Sequence, residues 1–297
     1  PPPAFFFQAE DGIRDCVASR GRGDVYKRQG HRAPQAPPPN PGHRRLISPV
    51  DGAVDQRRRG HLVLVGATAS GKSQLALEVA RRRPGTEQVS VDSMAVYRSM
   101  HVGPATPSIT DRTEVRHLLL VLVEPSEEFT VSMFQAAAFE VLDDLDRRRC
   151  RSILVGGTGL HVRAVVDELV IPPRFPDVRA DLEVEPDTGI LYRRLAELDA
   201  EAAVRMEPTN RRRILRALEV TVGAGRPFSS FGPGLSLYPP TRFTQIGIRI
   251  PRDVLDRRIL ERYRHQMKSG FLEEVVALEH RLGPLSTPAA QALGCRE

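Results

Sequence analysis

The chain has 297 residues, 40% of them hydrophobic, with 43 Lys/Arg against 37 Asp/Glu and a formal net charge of +6. Such a length allows one large domain or two small ones with a real apolar core, and so excludes a chain disordered throughout. No run of about 18 apolar residues is present to span a bilayer, and Pro1 to Phe7 lack the basic start and long apolar stretch of a signal peptide. A soluble, cytoplasmic, monomeric protein is therefore expected.

Residues 1–60 carry 11 Lys/Arg and 6 Asp/Glu, so the charge of the remainder is nearly balanced. Bulk basicity is thus no evidence for a nucleic-acid partner. The same segment holds 9 of the 25 prolines and no sustained hydrophobic period, and is expected to be disordered or extraneous. Its stretches Phe5 to Asp15 and Asp24 to Gln29 resemble translated sequencing-adaptor sequence. Cys16, Cys150 and Cys295 lie far apart with no C-x-x-C pair, which argues against a zinc site and against a disulfide framework.

From residue 61 apolar runs and helical periods alternate. Strands are predicted at 62–65, 88–91, 118–123 and 152–155, and helices at about 71–83 and 131–148, the first with Leu75, Ala76, Val79 and Ala80 on one face. This alternation predicts an α/β fold, a P-loop NTPase-like parallel sheet flanked by helices. Beyond Pro173 the pattern changes to helices with polar connections, so 174–208 reads as a small all-helical insertion between core segments 61–173 and 209–297. Phe243, Ile246, Ile248 and Ile250 alternate in a last strand, followed by helices at about 252–268 and 270–281.

Gly66, Ala67, Thr68, Ala69, Ser70, Gly71, Lys72 and Ser73 spell G-x-x-x-x-G-K-S/T directly after the strand Leu62 to Val65. Glycines let such a loop turn tightly so that its N–H groups face phosphate oxygens, Lys72 reaches the terminal phosphate, and Ser73 can ligate Mg²⁺. A di- or triphosphate is the implied ligand. Ligands on parallel sheets bind beyond the carboxyl ends of the strands, where Asp92-Ser93 and Gly156-Gly157-Thr158-Gly159 also fall. Asp92 suits either a proton acceptor or a cap for the segment after it. Thr158 suits either a hydroxyl donor or a tight connection. No second acid follows a strand in the manner of a P-loop ATPase, so nucleotide hydrolysis is not the expected reaction. Arg205, Arg211, Arg212, Arg213 and Arg216 form a local basic run that fits a nucleic-acid patch or a solvated helix face.

The ordered motifs at 66–73, Val91 to Met100, Leu154 to Leu160, Asn210 to Glu219 and Ala292 to Glu297 resemble the tRNA isopentenyl transferases, or tRNA dimethylallyltransferases, over about 61–297. The resemblance implies that the loop holds the diphosphate of dimethylallyl diphosphate rather than ATP, that Mg²⁺ assists, and that the adenine 3′ of the tRNA anticodon is alkylated on its exocyclic amine. It implies Asp92 as general base, Thr158 beside the substrate, and Arg262 at the diphosphate. It implies tRNA contacts at Asp92, Ser93, Met94, Ala95, Thr158, Arg179, Arg212, Arg213, Ile214, Leu215 and Arg216. A small-molecule P-loop kinase, a nucleotide prenyltransferase and a tRNA-binding fragment without turnover are the alternatives. The chain departs from the family pattern at Gly103-Pro104-Ala105-Thr106-Pro107, where the family has Gly-Thr-Ala-Lys-Pro, and at Leu118, Val121, His161 and Cys295. The family continues past the terminal motif with a further helix. The chain is therefore expected to be a fragment with an apolar face uncovered around Phe271 to Leu282.

Overall fold

Alternating strands and helices from residue 62 onward build a parallel sheet. The computed structural model describes residues 60–232, 234–236, 238–281 and 284–291. Cys16, the adaptor-like stretches, Leu282 and the terminal Ala292 to Glu297 with Cys295 lie outside the described residues. The elements in order are β1 (Leu62–Gly66), α1 (Lys72–Arg82), β2 (Thr86–Ser90), α2 (Ile109–Glu114), β3 (His117–Leu118), α3 (Val131–Arg147), β4 (Arg151–Gly156) and α4 (Gly159–Val166). There follow α5 (Pro176–Glu183), α6 (Thr188–Leu198), α7 (Ala200–Val204), α8 (Arg211–Ala224), β5 (Thr244–Ile248), α9 (Arg252–Lys268) and α10 (Phe271–Arg281).

All five strands pair in parallel in the order β3-β2-β4-β1-β5. Val63 lies opposite Leu154 on one side and Gln245 on the other, which fixes the register of the three strands nearest the phosphate loop. The chain leaves β1 towards β2 and leaves β4 towards β5, so connections depart from these neighbouring strands in opposite directions. A crevice opens at such a switch point, beyond the carboxyl ends of the strands.

The chain divides into two compact units: 1–128, 140–159 and 244–297 in the first, 129–139 and 160–243 in the second. In the first, Leu64, Ala76, Ala80, Val115 and Ile153 form a buried cluster. Ala76 and Ala80, one helical turn apart, carry α1 close to the sheet, and Leu75, expected on that face, is instead 44% exposed. The expected strand 118–123 contracts to two residues. Leu119 and Val121 adopt φ of 59° and 55°, a left-handed conformation that turns the N–H out of a regular ladder. The run nevertheless stays alongside the sheet: Val121 and Leu122 donate to the carbonyls of Ala95 and Val96, and Val123 bridges Tyr97. On α10 the expected apolar face is partly covered, since Phe271 and Leu278 are buried whereas Leu272 and Val276 are exposed.

The second unit is helical, with Leu182, Leu191, Leu195, Ala202, Ala203, Ile214, Leu215, Ala217 and Leu218 packed into one core. Helix α8 is its centre, capped by the Asn210 side chain accepting from the Arg213 N–H and ended by Gly225 at φ 64°. The segment before α5 is pinned to it: the Phe175 N–H donates to Glu219 Oε1 at 2.8 Å, and Arg216 donates to Glu219 and to the Pro172 carbonyl, each at 2.7 Å. Gly223 allows this approach, because a methyl group there would overlap the Phe175 ring. Gly223→Ala is accordingly expected to destabilise the protein by about 1–3 kcal/mol through overpacking, a lowered thermal midpoint being the check.

Candidate active site

Strand β1 delivers the phosphate loop. A Cβ at Gly66 would lie 2.9 Å from both the Ile248 carbonyl and Ser70 Oγ, so only glycine fits between β5 and the loop. Ser70 N–H closes a turn on the Ala67 carbonyl at 3.2 Å, and the chain then passes through left-handed conformations at Ala69, φ 61°, and Gly71, φ 89°. Gly71 caps α1 without a side-chain hydrogen bond, and the first turn of α1 holds no acid. The N–H groups and positive end of the helix dipole are therefore left for an anion.

Lys72 folds back over this loop and donates to the Ala67 carbonyl at 2.8 Å. A Cβ at Gly157 would lie 3.6 Å from Lys72 Nζ, so the glycines after β4 keep space open beside the ammonium. Burial pushes the Lys72 pKa down, opposed by Asp92, while Arg262 pushes it the same way as burial. Burial likewise lowers the pKa of Arg262, with Asp92 opposing. Two half-buried cations thus share one carboxylate. Their combined charge is relieved most directly by an anionic ligand.

Asp92 is carried to the same edge because β2 extends by one more bond, Val91 N–H to the Val155 carbonyl at 2.8 Å. Its Oδ1 accepts from the N–H groups of Met94 at 2.8 Å and Ala95 at 3.4 Å. Asp92 therefore does cap the following segment, and among the described residues Oδ2 has no partner. Ser93 Oγ and Thr158 Oγ1 stand 3.4 Å apart, which brings the hydroxyl that follows β4 to the residue that follows Asp92. Ser73 is exposed at the start of α1, and its hydroxyl has no partner among the described residues. One hydroxyl with phosphate oxygens and waters is a donor set that suits Mg²⁺, and no cluster of three or more His, Cys, Asp or Glu able to hold a metal occurs among the described residues.

Arg262 comes from α9 and donates to the Pro104 carbonyl at 3.4 Å. Pro104 is accommodated here: the turn is closed by Ala105 N–H to the Val102 carbonyl and Thr106 N–H to the His101 carbonyl, so neither bond needs an N–H at 104. Glu274 of α10 accepts from the N–H groups of His101, Val102 and Gly103 at 2.6, 2.8 and 3.0 Å. Gln266, one turn beyond Arg262 on α9, donates to the carbonyls of Val102 and Gly103 at 2.9 and 2.8 Å. Sequence reasoning passed over Glu274 and Gln266. The only signal for either is the i, i+4 spacing of Arg262 and Gln266, common on any helix.

The remaining predicted residues lie in the second unit. Arg212 and Arg213 are exposed on the first turn of α8 with no side-chain partner among the described residues. Arg179 pairs with Glu183 at 2.6 Å, and burial lowers the pKa of Arg216, with Glu219 opposing and Arg174 and Arg179 nearby adding to the lowering. Arg211 is instead structural, capping the end of α5 through the carbonyls of Glu183, Glu185 and Pro186. Ile214 and Leu215 are 0% and 2% exposed, because α8 turns them into the helical core, so their side chains offer no surface to a tRNA. Of the other departures, His161 is buried with its ring edge-on to Phe134 at 4.9 Å. A cavity of about 530 Å³ at the amino ends of the strands, lined by His61, Thr86 and Ser152 among others, holds none of the predicted residues.

Fold and site together define a P-loop-like α/β protein, a five-stranded parallel sheet with its glycine loop at a switch point. The chain belongs to the IPP transferase family, which matches residues 95–297. It is 42% identical over 241 residues to a tRNA dimethylallyltransferase of Bifidobacterium animalis subsp. lactis, covering 79% of this chain and 69% of that one. It is 42% identical over 250 residues to a tRNA dimethylallyltransferase of Geobacter metallireducens, covering 82% and 81%. The crystal structure of the full-length tRNA isopentenylpyrophosphate transferase from Bacillus halodurans superposes with a TM-score of 0.53 at 30% identity, covering 80% of this chain and 76% of that one. No helix among the described residues is long and apolar enough to cross a membrane.

The site separates stability from ligand binding. The folded protein holds the Lys72 proton less tightly than the unfolded chain, so the contribution of this group to stability rises with pH from its lowered value to the ordinary 10.5. Lys72→Met is expected to raise the thermal midpoint of the ligand-free protein at pH 7, while weakening diphosphate binding by about 10²-fold or more. Calorimetric titration beside a melting curve reads both.

Proposed function

We infer that this chain transfers a dimethylallyl group from dimethylallyl diphosphate to the exocyclic amine of the adenine 3′ of the anticodon in tRNA, releasing diphosphate. The observation that carries this is the meeting of Lys72, Arg262 and Asp92 beside an uncapped phosphate loop, in a chain whose relatives are tRNA dimethylallyltransferases.

The loop 66–73 and Arg262 hold the diphosphate, with Lys72 against its terminal phosphate. Mg²⁺, held through Ser73, supplies further neutralisation of that charge when bound. The amine nitrogen attacks the allylic carbon, the carbon–oxygen bond breaks, and its electron pair leaves on diphosphate. The proton from the new ammonium passes to Asp92, through the oxygen that capping leaves free. An aromatic amine is a weak nucleophile, so positioning and stabilisation of the leaving group supply most of the rate. Thr158 and Ser93 offer hydroxyls to the adenine, and half-buried Met94 lines its approach, whereas the Ala95 side chain is buried. An adenine in a single-stranded loop leaves its stack at a lower cost than one in a duplex. Arg212 and Arg213 give the helical unit an exposed basic face for tRNA phosphates, while Arg179 and Arg216 are already paired with Glu183 and Glu219. The work is cytoplasmic, where tRNA is available.

Incubation with labelled dimethylallyl diphosphate, Mg²⁺ and unmodified tRNA carrying that adenine should place label in tRNA. Asp92→Ala should lower the rate by about 10²–10⁴-fold, the usual worth of a positioned base. Absence of label with folded, diphosphate-binding protein would overturn the acceptor, and label indifferent to Asp92 would overturn the base. The double substitution Arg212→Ala, Arg213→Ala should weaken tRNA binding and reduce the slope of log affinity against log salt by about 2. Turnover at saturating tRNA should be preserved, which filter binding and kinetics across a salt series would establish.

A further inference from the structure

The turn at 101–104 is gripped from outside by two consecutive helices to an extent that its own sequence does not require. One carboxylate, Glu274, takes three successive backbone N–H groups, with Oε2 shared by His101 and Val102 and Oε1 on Gly103. One amide, Gln266, returns two hydrogen bonds to the carbonyls of Val102 and Gly103. Phe271 lies so close that a Cβ on Gly103 would be 3.0 Å from its ring. Next in the chain, the Pro104 carbonyl accepts from Arg262, the cation within electrostatic reach of Asp92 and Lys72.

We propose that Glu274 and Gln266 are positioning residues that lock the 101–104 turn so that the Pro104 carbonyl aims the Arg262 guanidinium at the diphosphate. The proposal rests on the transferase reading above. A surface turn with five backbone groups satisfied by two side chains has little freedom left, and charge-assisted bonds to successive N–H groups are the stronger kind. Arg262 is long and flexible, and its own contact to the turn is a single carbonyl. Unless that carbonyl is fixed, the guanidinium is not, and an error of about 1 Å in a positioning group costs on the order of 10²-fold in rate. Gly270 at φ 91° joins α9 to α10, which lets Gln266 and Glu274 reach the same turn from opposite sides of one tight bend. Neither side chain is itself a catalytic residue: they act through Arg262.

Glu274→Gln replaces one acceptor oxygen with an NH₂ that faces backbone donors, and Gln266→Ala removes the carbonyl half of the clamp if the first variant folds poorly. Each is expected to weaken binding of inorganic diphosphate and to raise KM for dimethylallyl diphosphate on the order of tenfold, with KM for tRNA unchanged. In an Arg262→Ala background the same substitutions should have no further effect on diphosphate, because the group they act through is gone. Additive losses in that background, or diphosphate binding equal to the parent in both single variants, overturn the clamp. A parent chain that binds diphosphate but modifies no tRNA removes the transferase reading while leaving the clamp to be judged by the binding data. A parent that binds no diphosphate removes both.

Discussion

Lys72 and Arg262 are both drawn part-way out of water beside a single carboxylate, Asp92, and the arrangement around them is built to sustain that imbalance. Withdrawing two cations from solvent costs more than one anion returns, an imbalance that an anionic ligand would relieve. Every neighbouring feature follows from this constraint. The loop contributes N–H groups and no acid, Gly157 keeps a side chain out of the space beside Lys72, and the Ala67 and Pro104 carbonyls accept from the two cations. A site with this balance suits an anionic ligand.

The helical unit deals with charge differently. Its arginines divide between those used up by the fold and those left outward. Arg211 caps α5, and Arg216 ties Glu219 and the Pro172 carbonyl together, so the loss of either would disturb packing before it disturbed any partner. Arg212 and Arg213 have no such duty among the described residues. One consecutive run of arginines therefore contains both structural and solvent-facing members, sorted by a rotation of about 100° per residue. Ile214 and Leu215 are the continuation of the same rotation into the core.

Much of this was legible beforehand. The alternation of Val/Leu strands with helices dictated a parallel sheet, and the spacing Gly66 to Ser73 after β1 dictated a glycine loop that opens a helix with its N–H groups free. Less legible was the run Leu118 to Val123, whose composition is that of a strand but whose left-handed residues break the ladder. Leu75 shows the same limit, because a helix face four residues wide reads alike whether two small alanines or a leucine meet the sheet.

By itself, the sequence determined the type of fold, the glycine loop before α1 and the place of Asp92 at the end of β2, because these depend on local spacing and on the period of strand and helix. Only the tertiary structure decided that Asp92 both caps and keeps an oxygen free, that Pro104 is tolerated because neither hydrogen bond closing its turn needs an N–H there, and that Glu274 and Gln266 meet the 101–104 turn. The Glu274 and Gln266 contacts join residues more than 160 positions apart. Their energy lies in geometry that exists only after the sheet has brought the ends of β2 and the helices after β5 together, and no local pattern in the chain encodes it.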